Sequence, residues 1–535
     1  ARANYALALY GLRRSEAPTV GREAWRGGAM SDPAEATLFA QIAPQLTTDD
    51  HDARMDALLW AGAAGQAQRQ ILYVSPARRN GFMVRLALVQ GSDPDSLGLS
   101  ADPGQGSDPG YLYNRARTQR AGAAALLANR SKLARQPLDP RKWLGLLLST
   151  ARGADARSAV RIAAGIDETY APGTDVSQMS FQQRDDYTSL AWLGGTKALW
   201  SLGDAAAAAP LFARYGSAAR SPGTRTKGFY WAGRAWARAG NAAEANRHFE
   251  MAAMYPDQFY GMLALERLGR PLPKFDKAPR TAPTTAERVA FNRKPLTAAV
   301  REVARSSDWP TAIRFFKELC EQAETEGDHI LIAEYARALG RRDLAVILAQ
   351  SAHNDGYGDF QKIGFPLIPT PPGTDWTMVH AITRQESQFA MNAVSHAGAR
   401  GLMQLMPGTA REQAGKLGLQ YDPQAVMEDA GYNMTLGGTY YARMRAYFGG
   451  SHPLAAAAYN AGAGNVNKWL RANGDPRTGA VDWIEWIEKI PLFETRNYVT
   501  RVLENAVVYE AMNPARATYT GPNPLSRFLG KSTPG

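Results

Sequence analysis

Cysteine is nearly absent: Cys320 is the single one in 535 residues, so no intramolecular disulfide can cross-link the chain. That fits the cytosol, and equally an exported protein whose core is large enough to need no disulfide. Lying within FFKELCEQAE, the thiol reads as a core residue rather than a reactive one. No apolar run reaches the roughly 18 residues of a membrane span, so no transmembrane segment is expected. No cysteine near the start could carry a lipid. Alternating β-branched runs are scarce and aromatic residues make up 10% of the chain, which leaves little from which to build sheets. His380, His396 and His452 lack the spacing of metal ligands, and neither Ser387 nor Ser395 sits in a nucleophile-elbow motif. No metal and no cofactor are expected.

What remains is rich in alanine and arginine, 45% hydrophobic, and punctuated by 32 prolines that fall mostly between periodic segments. This is the composition of many short helices, in a chain long enough for roughly two to four compact units. The net charge of +11 favours an anionic partner. Its cations are dispersed through stretches such as AGRAWARAG and LARQPLDPRK, with no compact basic arm, so nucleic acid is not the expected one. The chain begins at Ala1 rather than Met, which fits removal of a targeting segment.

Along the chain, residues 1 to about 55 read as irregular structure mixed with two or more helices. Short amphipathic helices follow, interrupted by a Gly-, Ser-, Asp- and Pro-rich connection over 86–111. ALWSLGDAAAAAPLFARY and AWARAGNAAEANRHFEMA then share one layout: a helix ending in glycine, a polar residue, and an alanine-rich helix carrying phenylalanine. Gly203 and Gly240 are 37 residues apart, as are Phe212 and Phe249, and YARALGRRDLAVILAQSA is a weaker echo. Stacked helix pairs of this kind predict an α-solenoid, either open or closed into a ring. The aromatic residues of the repeats, Trp192, Trp200, Trp231, Trp236 and Tyr230 among them, read as packing residues. Proline-rich punctuation at 271–285 and 364–375 divides the chain into an expected superhelix over 1–275, a helical linker over 286–360 and a C-terminal domain over 366–535. The fold class expected is all-α.

The stretch WTMVHAITRQESQFAMNAVSHAGARGLMQLM holds the densest chemistry. Trp376, Val379 and Ile382 recur at helical spacing, so Glu386 falls on the stripe facing the interior, with Thr374 or Asp375 as N-cap. Asn392 and Ser395 follow in a polar loop. Gly398 and Gly401 permit close approach of the chain to a ligand, and a short helix or turn carrying Met403, Gln404 and Met406 stops at Pro407–Gly408. Farther on, an alanine-rich helix opened by Pro453 ends at Tyr459 and Asn460, and another begins near Asn465. A long helix from Pro491 then places Glu494 and Tyr498 on one face.

ITRQESQF, GLMQLMP, AYNAGAGNV and IPLFETRNYV, in this order, resemble the motif set of the soluble lytic transglycosylases. The catalytic domain of that family has a goose-type-lysozyme-like fold (glycoside hydrolase family 23). The motifs span about 377–505, and the repeats with YPDQFYGMLALERLG extend the likeness upstream. The resemblance implies cleavage of the β-1,4 bond between N-acetylmuramic acid and N-acetylglucosamine of peptidoglycan, leaving 1,6-anhydro-muramic ends. Carried over by motif, Glu386 is the sole catalytic acid and base. Ser387 and Gln404 bind sugar or support the acid, and Met403 and Met406 line the substrate side. Tyr459 and Asn460 lie near the reacting sugar, with Glu494 and Tyr498 on the closing helix. The implied partners are glycan strands, with a cell-wall synthase as a further candidate, and the implied location is the periplasm.

The residues agree on physical grounds. A glutamate partly removed from water keeps its proton toward neutral pH and can protonate a glycosidic oxygen. Ordinary glycosidases need a second carboxylate, and no neighbour of Glu386 in the chain supplies one. Glu494, if it stood across the scissile bond with room for water, would instead support a lysozyme-like hydrolase. A non-catalytic wall-binding or protein-binding solenoid is the other alternative.

Overall fold

The computed structural model describes the backbone of residues 1–535 and every side chain except that of Pro103. Among the described residues every regular element is helical, and extended pairing is limited to isolated bridges of Arg400 with Val394 and Leu405. The chain is all-α, as expected. No helix among the described residues is long and apolar enough to cross a membrane.

Local chemistry sets the helix ends. Gly203, Gly240 and Gly340 have φ of 69°, 80° and 66°, the left-handed conformation that glycine adopts without steric penalty. In the two stronger repeats the polar residue after the glycine caps the next helix. Asp204 accepts from the Ala207 amide at 2.9 Å and Asn241 from the Glu244 amide at 3.1 Å. The repeated layout is therefore a C-terminal glycine followed by an N-cap, which turns the chain tightly between helices.

The chain divides into two compact units, residues 1–219 with 231–245, and residues 220–230 with 246–535. In the first, Trp60 stacks on Tyr113 with centroids 4.5 Å apart beside the fully buried Trp143, Leu144 and Leu147. Its buried Asp56 is neutralised by Arg85 at 2.6 Å and Arg135 at 2.7 Å, the pairing a charge needs when water is excluded. The repeat aromatics pack: Trp200 meets Trp231 edge-on at 5.4 Å, and Phe212 lies 6.1 Å from Trp231.

Within the second unit, helices between Thr285 and Asn354 enclose a core containing Phe316, Ile332, Leu344 and Cys320. Burial pushes the Cys320 thiol up to about 12, so it stays protonated and unreactive. The acid helix, Trp376–Glu386, packs along the closing helix, Phe493–Met512. The floor helix, Ala430–Tyr447, and the alanine helix, His452–Ala461, complete the site region. Every residue from Pro453 to Tyr459 is buried, because alanine lets neighbouring backbones approach closely. Phe259–Arg267 joins through Glu504, which accepts from the Phe259 amide at 2.8 Å.

Some local expectations shift. Pro407–Gly408 opens the helix Pro407–Lys416 instead of ending one, because proline in a first turn gives up an amide that has no helical acceptor. The helix expected near Asn465 begins at Ala463. The 86–111 connection is shorter, since helices run to Val89 and resume at Pro109.

Candidate active site

Asp375 caps the acid helix by accepting from the Met378 amide at 3.0 Å. One turn on, His380 is clamped: the Ile368 amide donates to Nε2 at 3.2 Å, which leaves Nδ1 to donate to the Trp376 carbonyl at 2.8 Å. Arg384 donates from Nε to the Gly364 carbonyl at 2.7 Å and from Nη1 to Asn505 Oδ1 at 2.6 Å, with its guanidinium over the Phe365 ring. Asn505 donates in turn to the Ala381 carbonyl at 3.2 Å. These bonds fix the helix axially and in rotation, which sets the direction of its last residue, Glu386.

Immediately after Glu386 and the C-cap Ser387, Gln388 and Phe389 take φ of 53° and 69°. Non-glycine residues there carry strain of about 1–3 kcal/mol each. Phe389 is buried at 4% exposure, so its packing offsets part of that strain and holds the sharp exit from the helix.

Glu386 is half-buried. Burial raises its carboxyl from the ordinary 4.5 to about 8, interaction with the Tyr498 hydroxyl lowers it somewhat, and the negative charge of Glu494 raises it. The Tyr498 hydroxyl is buried and, among the described residues, makes no hydrogen bond. Tyr459 stacks nearly parallel to Tyr498 at 6.5 Å. Burial, reinforced by the Glu386 charge, pushes both phenols well above their usual value, so both remain neutral donors.

The loop opposite is held by backbone bonds. Asn433 Oδ1 accepts from the Met403 amide at 2.9 Å, while the Met403 carbonyl accepts from Tyr459 at 2.8 Å. Ser387 donates to the Leu402 carbonyl at 2.7 Å. Gln404, at φ 46°, donates from Nε2 to the carbonyls of Ala393 at 3.0 Å and Gly401 at 2.9 Å. Gly401 has φ 73°, and a Cβ there would lie 2.3 Å from both Asn433 Nδ2 and the Val426 carbonyl, so the loop requires glycine. Asn460 accepts from Thr495 Oγ1 at 2.6 Å and approaches Glu494 Oε1 at 3.5 Å.

Glu386, Tyr459, Tyr498 and Glu494 thus share one electrostatic neighbourhood, and Asn460, Met403, Gln404 and Ser387 are bonded into its frame. Ser387 is fully buried, with its hydroxyl committed to backbone. The Met403 side chain is buried, whereas Met406 is 44% exposed at the start of Pro407–Lys416. Glu494 is exposed. Asn433 and Thr495 were not singled out by sequence, and neither was Gly437, where a Cβ would lie 2.5 Å from Met403 Sδ. The paired glycines of LGGTYY inside a helical stretch are the signal that marks this close approach. Asn433 has no comparable mark. Among the described residues no three His, Cys, Asp or Glu side chains converge in a metal-holding group. Chemically, the arrangement presents one protonated carboxyl to a half-open surface, flanked by neutral phenols and the exposed side chain of Glu494.

Residues 370–480 match the family described as the transglycosylase SLT domain. That span includes Glu386, the Met403 loop and Asn460, and it stops short of Glu494 and Tyr498. Two soluble lytic murein transglycosylases, from Salmonella typhimurium and Escherichia coli, are 31% and 30% identical over 297 residues, covering 52% of this chain and 43% of each relative. The matched stretch therefore spans less than half the length of these relatives. A solved lytic transglycosylase Slt from Pseudomonas aeruginosa, an inactive glutamate-to-glutamine mutant, aligns over 98% of this chain and 82% of its own. Its TM-score is 0.52 at 24% identity, and it shares the all-α fold.

Proposed function

We propose that the chain, whose residues 370–480 match the transglycosylase SLT domain family, is a lytic transglycosylase that cuts the β-1,4 bond between N-acetylmuramic acid and N-acetylglucosamine in peptidoglycan. The observation that carries this reading is the Glu386 carboxyl, raised to about 8 by burial. A carboxyl raised in this way holds its proton at neutral pH, as a general acid requires.

Glu386 protonates the glycosidic oxygen, and the bond from that oxygen to C1 of the muramic sugar breaks. The sugar's own 2-acetamido carbonyl stabilises the positive charge at C1 through an oxazolinium. The Glu386 carboxylate then takes the proton of the C6 hydroxyl, whose oxygen closes on C1 and releases the acetamido group. The product ends in a 1,6-anhydro ring, and Glu386 is again protonated. The internal hydroxyl has the advantage of proximity over external water. Tyr459 and Asn460 orient the acetamido side of the sugar, and Ser387, Met403 and Gln404 shape the loop against it. Tyr498 steadies the carboxylate when it forms. Met406, exposed where the loop meets Pro407–Lys416, contacts the glycan. Such an enzyme belongs in the periplasm, on glycan strands and beside a cell-wall synthase.

Glu494 motivates the second reading, a lysozyme-like hydrolase in which it activates water. Mass spectrometry of muropeptides from digested wall separates the two. Anhydro ends, each lacking one water, are expected, and a predominance of hydrated, reducible muramic ends would sink the transglycosylase reading.

A further inference from the structure

Asn433 stands fully buried on the floor helix, and its amide serves three backbone groups at once. Oδ1 accepts from the Met403 amide at 2.9 Å, while Nδ2 donates to the carbonyls of Val426 at 2.8 Å and Arg400 at 3.3 Å. A carboxamide is the short side chain that offers an acceptor and two donors together. A carboxylate in its place would face two carbonyls, and leucine would leave all three backbone groups without this partner. Gly401 crosses the amide so closely that a Cβ there would lie 2.3 Å from Nδ2, so the loop is seated directly on Asn433.

The bond to the Met403 amide bears on what lies across the same Cα. There the Met403 carbonyl accepts from the Tyr459 hydroxyl at 2.8 Å, in a buried contact. A phenol has one proton to give. With that proton on Met403, Tyr459 has none for Glu386, although the Glu386 charge is felt at its ring. Tyr498 is arranged the other way. Its ring lies nearly parallel to that of Tyr459 with centroids 6.5 Å apart, yet its hydroxyl makes no hydrogen bond among the described residues and favours the ionised acid. From the closing helix Tyr498 and Glu494 face Glu386, and from the alanine helix Tyr459 does. Tyr440 of the floor helix faces the Tyr459 ring at 5.2 Å. On the acid helix Arg384 is tied to Gly364 and Asn505, and the loop adds the neutral Met403 and Gln404.

Two phenols of equal size thus flank the acid, one with its proton uncommitted and one with its proton placed on backbone. A second phenol proton turned to the carboxylate would favour its charged form and weaken the acid. We propose that Asn433 is a positioning residue for the reaction: by holding Met403 it keeps the Tyr459 proton on the Met403 carbonyl and off Glu386, so that the acid meets one phenol donor instead of two. This rests on the reading of Glu386 as the general acid of a transglycosylase.

Infrared titration of the Glu386 carboxyl in the full chain tests it without turnover, the band being the one that Glu386→Gln removes. Asn433→Leu keeps the size of the side chain and loses its polar atoms. It is expected to move the titration to lower pH, because Tyr459 released from Met403 turns its proton to the carboxylate. Adding Tyr459→Phe to Asn433→Leu should cancel that movement. Tyr459→Phe alone should leave the titration where wild type has it, whereas Tyr498→Phe moves it up. This comparison of the two phenols decides the matter even if Asn433→Leu does not fold. A titration unmoved by Asn433→Leu, a shift that persists without the Tyr459 hydroxyl, or an upward shift in Tyr459→Phe alone would each overturn the proposal. In every variant the alkaline limb of kcat/KM on wall glycan should follow the carboxyl. Carboxyl titrations that behave as expected in a protein that releases no anhydro ends would instead strike the transglycosylase reading and leave the role of Asn433 standing.

Discussion

Replacing Glu386 by glutamine should make the protein more stable at alkaline pH, by an amount set by the proton this side chain holds. In the folded chain the carboxyl keeps its proton up to about pH 8; once unfolded it releases it near the ordinary 4.5. Between those values the folded state binds more protons, so wild-type stability falls as pH rises through the window. A shift of that size corresponds to at most about 5 kcal/mol, reduced to about 2–4 kcal/mol because the half-buried group retains some water. Glutamine has the same shape and never ionises, so Glu386→Gln removes the pH-dependent part alone. Calorimetry of the transition of the second unit, run from about pH 4 to pH 9, should show the two proteins melting together at the acid end. They should separate by several degrees at the alkaline end, with the variant the higher. Melting curves that stay parallel across the range would refute the placement of Glu386 in a desolvating site, whatever the variant does to turnover.

Tyr498→Phe removes the one group that favours the ionised Glu386. The alkaline limb of kcat/KM, expected near pH 8, should move to higher pH; an unmoved limb would uncouple this phenol from the acid. Gly437→Ala places a methyl 2.5 Å from Met403 Sδ. It should cost about 1–3 kcal/mol in urea unfolding and lower kcat/KM, since Met403 carries the bonds from Asn433 and Tyr459. Wild-type stability with wild-type activity would show that the loop does not depend on this contact.

The helical fold and the four chemical segments were legible because both rest on local signals. Glycine before a polar residue, proline before a periodic run, and an acid at a fixed place on a helical stripe are all visible within a dozen residues. Gly203, Gly240 and Gly340 adopt the left-handed turn that their positions between helices predict. Pro407–Gly408 differs from the expectation because the same dipeptide can close one helix or open the next, and here proline stands in the first turn of Pro407–Lys416, where its missing amide has no helical acceptor to lose. Asn433 was invisible for a related reason: an asparagine in mid-helix is unremarkable until the loop it serves, 30 residues earlier, folds against it. The strain at Gln388, Phe389 and Gln404 was likewise illegible. None of these residues favours positive φ, and each is held there by contacts distant in sequence.

The alanine helix has a consequence for how this protein can vary. With Leu454 and Ala455–Ala458 wholly inaccessible, the helix has no free face on which a larger side chain could be hidden. A library randomised over these five codons should return almost nothing but small residues and leucine. One randomised at the exposed Leu492 and Phe493 should return nearly everything. Sequence drift in this domain is therefore channelled away from its central rod and onto its rim, so the rod tethering Tyr459 and Asn460 keeps its length and register while the surface around it diverges.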